Sequence, residues 1–314
     1  MKTLPLGRTG AEVNALCLGC MDFGTNVDEE RSFQLLDQYI EAGGTFLDTA
    51  NNYSYWNEGG VGGESEALLG RWFRERRNRD RIFLATKVGF NTLDVGHSLS
   101  AETIVRELDG SLKRMGTDYV DLYYAHKDHR ADPLEETLEA FDRLVTAGKV
   151  RYIGCSNTLA WRIERARTIS RSHGWAEYCC VQQRFSYLRP KPGASFGNQV
   201  SANADLLDYC RQKQDVTFLA YSPLLGGCYT RRDKSIPEQY QGPDADARMV
   251  ALRRVAKDVG ATPNQVVYAW MLQGKPNIVP LVAASNKEQM AENLGSLEVK
   301  LSREQMELLT NTTG

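Results

Sequence analysis

The chain has 314 residues, and its 42% hydrophobic and 25% charged residues are typical of a globular protein with an ample core. The 38 Lys and Arg residues nearly balance the 40 Asp and Glu residues, so no global positive field exists to attract a nucleic acid. No sequence window approaches the roughly 18 apolar residues that a membrane span requires, and the N-terminus lacks a signal-peptide pattern. We therefore expect a cytoplasmic protein with no nucleic-acid or membrane partner.

The chain alternates short apolar runs with longer stretches of helical periodicity, after an early segment, 3–13, that is predicted to form a small hairpin. Eight strands, each followed by a helical segment, favour a (β/α)8 barrel over an open doubly wound sheet. Because no linker or low-complexity segment interrupts this pattern, we interpret residues 1–314 as one barrel domain. The predicted strands are 16–18, 45–48, 82–87, 119–124, 150–154, 179–182, 216–221 and 278–281.

Capping residues mark where several helices begin and end. Asp28 and Ser100 are predicted N-caps, and the helix after Ser100 is expected to end near Gly116. Pro133 is predicted to be the first residue of another helix, which stops at Gly148.

Three long segments rich in Gly or Pro follow predicted strands and are expected to be irregular. They are 53–63, 188–199 and 223–246. Each follows the carboxyl end of a strand, which is the catalytic face of a barrel. We therefore expect the functional site to be built on these loops.

Polar residues end three successive predicted strands at a constant interval. Asp48, Lys87 and His126 are separated by 39 and then 39 residues, which is one βα unit each time. Since the strand ends of a barrel converge, we expect these side chains to lie close together, with Tyr53 in the loop just after Asp48.

These four residues predict acid–base chemistry on a tyrosine. A free phenol has a pKa of about 10, and a neighbouring ammonium, here Lys87, stabilises the phenolate. Asp48 would orient Lys87, and His126 could donate a hydrogen bond to a substrate oxygen. The set suits protonation of an alkoxide that forms when a hydride reaches a carbonyl carbon.

The chain resembles the aldo-keto reductase family over nearly its whole length. The motifs that carry the resemblance are FLDTAxxY at 46–53, ATK at 85–87, DYVDLxxxH at 118–126, GKVRxIGxSN at 148–157 and AYSPL at 220–224. The resemblance implies an NAD(P)-dependent oxidoreductase that interconverts a small-molecule carbonyl compound and its alcohol. Tyr53 would be the general acid/base, with Asp48, Lys87 and His126 completing a catalytic tetrad.

The resemblance also implies a nicotinamide cofactor that is bound extended across the barrel mouth. No G-x-G-x-x-G motif opens a helix, so a Rossmann site is not available. The residues implied at the nicotinamide are Ser156, Asn157 and Gln182 on the carboxamide and Tyr221 against the ring. Those implied at the pyrophosphate and the adenosine end are Leu224, Gly226, Ser285, Asn286, Gln289, Glu292 and Asn293.

The adenosine end departs from the family pattern. Where NADPH-using relatives place Arg or Lys, this chain has Ala283, Asn286 and Gln289, and Lys287 is the nearby cation. Because a 2′-phosphate is recognised by charged partners, this departure favours NAD(H), or use of both cofactors. Lys287 keeps a preference for NADPH open, since its long ammonium side chain could reach the phosphate.

The loop after Tyr53 is longer than in compact members of the family. It supplies Tyr55, Trp56 and Asn57, with Glu58 beside them, as candidate substrate-binding residues. Further polar side chains on two other loops are Arg189, Lys191, Asn198, Gln199, Arg231, Arg232 and Lys234. Aromatic faces flanked by hydrogen-bonding groups predict a sugar or sugar-derived carbonyl, and a generic aldehyde pocket stays the alternative.

Two further interpretations concern other kinds of site. Cys17 and Cys20 have CxxC spacing but no second Cys or His pair, so we expect no metal site and interpret the seven cysteines as reduced core residues. The alternative to an enzyme is a regulatory protein on the same fold that binds the nicotinamide nucleotide without turnover. A complete set of four proton-handling groups favours the enzyme.

Overall fold

The computed structural model describes residues 1–91 and 96–314. An antiparallel hairpin of β1 (Thr3–Pro5) and β2 (Glu12–Asn14) precedes a closed barrel of eight parallel strands, which confirms the predicted (β/α)8 fold. The barrel strands are β3 (Cys17–Gly19), β4 (Phe46–Asp48), β5 (Phe83–Val88), β6 (Val120–Ala125), β7 (Val150–Ser156), β8 (Tyr178–Arg184), β9 (Thr217–Tyr221) and β10 (Ile278–Val282). Strand β10 pairs with both β9 and β3 and so closes the barrel.

Ten α-helices surround the barrel in the described part of the chain. They are α1 (Glu29–Glu41), α2 (Glu64–Arg76), α3 (Ala101–Met115), α4 (Leu134–Thr146), α5 (Ala160–His173), α6 (Ala204–Lys213), α7 (Pro243–Val259), α8 (Pro263–Gln273), α9 (Lys287–Gly295) and α10 (Arg303–Asn311). Asp28 and Ser100 accept hydrogen bonds from backbone N–H groups at the starts of α1 and α3, as predicted, and Gly116 ends α3. Helices α7 and α10 are additional to the eight repeated βα units, and they pack on each other.

Two predicted boundaries were wrong. Pro133 is not the first residue of α4, because its extended backbone, with ψ at 123°, makes it the N-cap. The segment 223–246 is not irregular throughout, because α7 begins at Pro243 within it. The proline ring fixes φ at a helical value, and this residue has no N–H group to leave unpaired in the first turn.

The barrel strands are apolar on both faces because one face meets the barrel interior and the other meets the helices. All residues of β4 and β6 are buried. The seven cysteines are buried and free, as predicted. Polar side chains are therefore concentrated where the strands end.

The hairpin closes the amino-terminal end of the barrel. Thr217, the first residue of β9, accepts a hydrogen bond from the Gly7 N–H at 2.7 Å and donates one to the Pro5 carbonyl at 2.9 Å. Gly7 has a φ of +55°, and a Cβ atom there would lie 2.7 Å from the carbonyl oxygens of both Asp215 and Cys179. With this end covered, the carboxyl end of the barrel is the one available for a site.

Candidate active site

The four predicted proton-handling residues meet at the carboxyl end of the barrel. Asp48 is the last residue of β4, Lys87 lies near the end of β5, and His126 directly follows β6. The Lys87 ammonium donates to Asp48 Oδ1, to the Thr49 carbonyl at 2.7 Å and to Tyr53 Oη at 2.7 Å. Both members of the Lys87–Asp48 ion pair are fully buried.

Burial shifts the pKa values of Tyr53 and His126 in opposite directions. Burial raises the pKa of Tyr53 well above its usual range, and the Asp48 carboxylate raises it further. Burial lowers the pKa of His126 well below its usual range, and the Lys87 ammonium lowers it further. At neutral pH the site therefore holds a protonated phenol beside a neutral imidazole. The expected lowering of the phenol pKa by Lys87 does not dominate, because burial and then the Asp48 carboxylate raise that pKa.

A tightly wound loop presents Tyr53 to Lys87. The Tyr53 carbonyl accepts a hydrogen bond from the Gly63 N–H at 3.3 Å, which joins the two ends of the loop. Ser54 is buried with a φ of +76°, and its hydroxyl lies 3.2 Å from that of Thr25. Gly60 crosses close to it, where a Cβ atom would lie 2.0 Å from the Ser54 carbonyl oxygen. The loop can wind this closely only because residue 60 has no side chain.

Aromatic rings surround the imidazole of His126. The Phe90 ring packs edge-on against it with centroids 4.6 Å apart, and the Tyr53 ring lies 6.0 Å away. The backbone N–H of His126 donates to the Val88 carbonyl at 2.7 Å, which attaches the residue to the end of β5. The imidazole is thus held beside the phenol in apolar surroundings.

Asn157 joins three parts of the site, which the sequence did not indicate. Its Nδ2 donates to the His126 carbonyl at 2.9 Å. Its Oδ1 accepts from Tyr221 Oη at 2.7 Å and from the Val200 N–H at 3.0 Å. The amide therefore connects β6, β9 and the end of the 188–199 loop, and it holds the ring of Tyr221 in place.

Gln182 also makes a contact that the sequence did not predict. Its Nε2 donates to Asp48 Oδ2 at 2.8 Å, although the two residues are 134 positions apart in the chain. Gln182 is buried, and Lys87 occupies the other carboxylate oxygen of Asp48. The family resemblance implied a contact of Gln182 with the carboxamide of the cofactor, and no sequence signal indicated its contact with Asp48.

A cavity of about 1150 Å³ extends from the ends of β4 and β6 across the barrel mouth to the start of α9. Of the tetrad, Asp48, Tyr53 and His126 border it. The predicted cofactor residues that border it are Ser156, Asn157, Gln182, Tyr221, Leu224, Gly226, Ser285, Gln289, Glu292 and Asn293.

One predicted cofactor residue, Asn286, lies outside the lining of this cavity. Its Oδ1 accepts the Gln289 N–H at 2.9 Å and so caps α9, which places the side chain against its own backbone. Gln289 Oε1 in turn accepts from the backbone N–H and the hydroxyl of Ser285, at 2.8 and 3.0 Å. Glu292 accepts from Thr262 at 2.6 Å.

The predicted substrate residues divide between two places. Tyr55 and Trp56 border the large cavity, and the Trp56 and Tyr53 ring centroids are 6.2 Å apart. Asn57 was predicted to bind substrate, but with Glu58 it borders a separate open pocket that shares Trp56. These two side chains therefore lie outside the lining of the cavity that Tyr53 borders.

The predicted polar residues on the other loops are also divided. Asn198, Gln199 and Arg231 border the large cavity. Arg189 does not, because it donates to Asp244 and to the Thr310 carbonyl near the chain end. The other cations outside the lining are Lys191, Arg232 and Lys234.

Within residues 1–91 and 96–314, no group of three or more His, Cys, Asp or Glu side chains is arranged to hold a metal ion. Over the same residues, no helix is long and apolar enough to cross a membrane.

Comparison with known proteins matches this arrangement. The model of the aldo/keto reductase family matches residues 15–312. The chain is 31% identical to the aldo-keto reductase yakc [NADP(+)] of Schizosaccharomyces pombe, over 96% of this chain and 88% of the relative. It is 30% identical to the uncharacterized oxidoreductase YrpG of Bacillus subtilis, over 98% of this chain and 94% of the relative.

A solved structure is similar over the same length. The crystal structure of the thermostable aldo-keto reductase Tm1743, in complex with the inhibitor epalrestat, has a TM-score of 0.77 and 33% sequence identity, and covers 98% of both chains. The barrel, the family match over residues 15–312 and these relatives lead to one conclusion. The chain belongs to the aldo-keto reductase family of nicotinamide-dependent oxidoreductases.

Proposed function

We propose that Tyr53 is the general acid of carbonyl reduction in this protein, and the general base of the reverse reaction. The observation that carries the proposal is the buried contact of 2.7 Å between Lys87 Nζ and Tyr53 Oη at the edge of the cavity. When bound, the reduced nicotinamide supplies the hydride to the carbonyl carbon.

The proton step follows from the contacts of the phenol. Because Tyr53 Oη accepts a hydrogen bond from Lys87, the phenol keeps its own hydrogen for donation to the substrate oxygen. Its raised pKa means that the proton is present at neutral pH. Negative charge then moves to the phenolate, which the ammonium stabilises in a site with little water. The neutral imidazole of His126 donates a hydrogen bond to the same substrate oxygen.

The shape of the cavity supports an extended dinucleotide. Tyr221 borders the cavity beside the acid–base group, and its hydroxyl is held by Asn157, so the ring provides a fixed wall for a flat nicotinamide. Ser285 and Gln289 line the far end, near the amino terminus of α9. These residues fit the family's cofactor, with polar groups at both ends of one continuous space.

We further propose NAD(H), or dual use of both cofactors, as the preferred cofactor. None of the described residues between Leu281 and Asn293 that line the cavity is a cation, and the Glu292 carboxylate lies among them. Arg231 also lines the cavity, but its guanidinium is paired with Asp233. Asn286 and Gln289 are occupied with hydrogen bonds around the start of α9. A 2′-phosphate carries close to two negative charges, so its charged partner would have to be Lys287, turned toward it from the surface, or Arg231, released from Asp233.

For the substrate we propose a carbonyl compound with a ring that carries several hydroxyl groups, namely a sugar or a sugar-derived carbonyl. The cavity wall near Tyr53 combines the rings of Trp56 and Phe90 with the amides of Asn198 and Gln199. Stacking faces with hydrogen-bonding groups beside them suit such a ring. Arg189, Lys191, Arg232 and Lys234 lie outside the cavity lining, and Arg231, which borders the cavity, is paired with Asp233, so we propose no strongly anionic substituent.

Replacing Tyr53 by Phe tests the general acid. We expect turnover of NADH with carbonyl substrates to fall at least a hundredfold, since the proton donor is lost. The dissociation constant of NADH should change little. Tyr55→Phe is the matched control, because this neighbouring tyrosine borders the same cavity and is not bonded to Lys87. A Tyr53→Phe variant with near-normal turnover would contradict the assignment, and a wild type that binds NADH without oxidising it would favour the regulatory alternative.

A further inference from the structure

The Asp48 carboxylate is held by a different donor on each oxygen. Lys87 donates to Oδ1, and Gln182 donates to Oδ2 at 2.8 Å. All three side chains are buried. The carboxylate therefore cannot turn about its χ2 bond without breaking a hydrogen bond to a charged group in surroundings with a low dielectric constant.

The nitrogen of Gln182 must be the atom that faces Asp48. An ionised carboxylate can only accept hydrogen bonds, so only the NH2 group of the amide can pair with it. This leaves Gln182 Oε1 to face the cavity that the residue borders. The Gln182 side chain thus lies between the Asp48 carboxylate, which pairs with Lys87, and the space where the nicotinamide is proposed to bind.

We propose that Gln182 is a positioning residue for proton transfer, which orients Asp48 so that Lys87 remains against Tyr53. This rests on the proposed function of Tyr53. It goes beyond the carboxamide contact that the family resemblance implies, because Nε2 is already bonded to Asp48. The order of contacts is Gln182 to Asp48, Asp48 to Lys87, and Lys87 to Tyr53.

The neighbouring residue on the same strand provides a matched control. Gln183 is also buried in β8, and its Nε2 donates to the Thr158 carbonyl at 3.2 Å. Successive residues of a strand point to opposite faces, so this side chain points away from Asp48. Gln183→Met removes one buried hydrogen bond without touching the acid–base residues.

Two substitutions of Gln182 separate a positioning role from simple packing. Gln182→Met keeps the length of the side chain and removes the donor at every pH. Gln182→Glu keeps the shape, and the introduced carboxyl can donate to Asp48 only while it is protonated. Two carboxyl groups in hydrogen-bond contact share one proton, so the pair retains that proton to a higher pH than an isolated carboxyl does. Above that pH the two groups repel each other.

The experiment measures kcat and KM for carbonyl reduction between about pH 5.5 and 9, in wild type and the three variants. We expect Gln182→Met to lower kcat about tenfold at every pH, as loss of a hydrogen bond to a charged group would. Gln182→Glu should be close to wild type at the acidic end and lose kcat as the pH rises. Gln183→Met should keep the kcat and pH profile of wild type.

Thermal unfolding without cofactor provides a second measurement. In folded Gln182→Glu the carboxyl pair binds its proton more tightly than the separated groups of the unfolded chain do. Stability is therefore retained at low pH and lost as the pH rises through the titration of the folded pair. We expect the difference in Tm between this variant and wild type to grow with pH, and that of Gln183→Met to stay constant.

Several outcomes would overturn the proposal. One is a Gln182→Glu variant whose kcat and Tm differ from wild type equally at every pH. Another is a Gln182→Met variant that changes only the dissociation constant of NADH, measured by protein fluorescence, and keeps kcat. Tyr53→Phe, measured in parallel, distinguishes the two proposals. If it stays active while the Tm of Gln182→Glu depends on pH, the role of Tyr53 fails and the contact of Gln182 with Asp48 stands.

Discussion

Lys87 and Tyr53 are 34 residues apart in the chain, yet Lys87 Nζ lies 2.7 Å from Tyr53 Oη in the interior of the protein. The contact exists because β4 and β5 are neighbouring parallel strands that end at the same face of the barrel. Asp48 and the Thr49 carbonyl take the other hydrogen bonds of the ammonium. With three acceptors around it, the ammonium is held in place without a substrate, which is the preorganisation that the proposed proton transfer requires.

Replacing Lys87 by Met is expected to cost both activity and stability. The phenolate would lose its ammonium, so kcat should fall by about 100-fold or more. Asp48 would stay buried without its cationic partner, which should destabilise the fold by about 3–5 kcal/mol. Steady-state kinetics and denaturant unfolding measure the two effects. Lys149→Met is the control, because its ion pair with Asp109 is exposed and should contribute little. Equal losses in the two variants would contradict this account.

The neutral His126 predicts a loss of stability in acid. Burial and Lys87 lower the pKa of His126 in the folded chain, whereas the unfolded chain takes up a proton near pH 6.5. The contribution of this residue is therefore fully present above about pH 6.5 and is lost as the pH falls toward the lowered folded value. We expect the Tm of wild type to fall more steeply than that of His126→Asn between pH values of about 7.5 and 5. Parallel curves for the two proteins would show that the imidazole is not held neutral.

The lining of the adenosine end predicts how the two cofactors compare. Fluorescence titration of wild type should give a dissociation constant for NADH similar to or below that for NADPH. Gln289→Arg should lower the dissociation constant for NADPH by about tenfold or more, because it adds a charge-assisted partner for the 2′-phosphate. The dissociation constant for NADH should stay nearly unchanged. Asn286→Arg is the comparison, because Asn286 lies outside the cavity lining. Wild-type binding of NADPH a hundredfold tighter than NADH would refute the proposed preference.

Trp56 is expected to select the substrate. Its ring borders the cavity beside Tyr53, so Trp56→Ala should lower kcat/KM for a sugar-derived ketone by about tenfold, and less for a small aromatic aldehyde. Trp161→Ala is a matched control, since Trp161 is 51% exposed against 55% for Trp56 and lies outside the cavity lining. Equal losses on both substrates, or a better wild-type reaction with the simple aldehyde, would favour the generic aldehyde pocket.

The hairpin predicts a stability effect far from the site. Gly7→Ala would place a methyl group 2.7 Å from two carbonyl oxygens in a left-handed conformation, and should destabilise the fold by about 1–3 kcal/mol. Gly10→Ala isolates the conformational part, because Gly10 has a φ of +81° and no atoms within 4 Å of an added Cβ. We expect a larger drop in Tm for Gly7→Ala, with kcat at 25 °C unchanged in both variants. A smaller drop in Tm for Gly7→Ala than for Gly10→Ala would mean that the backbone around Gly7 shifts at little cost to accommodate the methyl group.

The periodic pattern of the sequence was sufficient to predict the barrel and to bring three residues of the site together. Asp48, Lys87 and His126 lie where their intervals of one βα unit place them, because every parallel strand of a closed barrel ends at the same face. The helix N-caps Asp28 and Ser100 could also be predicted from the sequence, since each side chain accepts a hydrogen bond from a backbone N–H three residues away. These features depend on contacts that are local or repeated.

Only the tertiary structure decided which side chains of the loops and strand ends face one another. Gln182 reaches Asp48 across 134 positions of the chain, and Asn157 joins His126 to Tyr221 from a third strand end. Arg189 binds near the chain end rather than in the cavity. The direction of a side chain at such positions depends on hydrogen-bond partners that are distant in the sequence, and no local period or spacing encodes those partners.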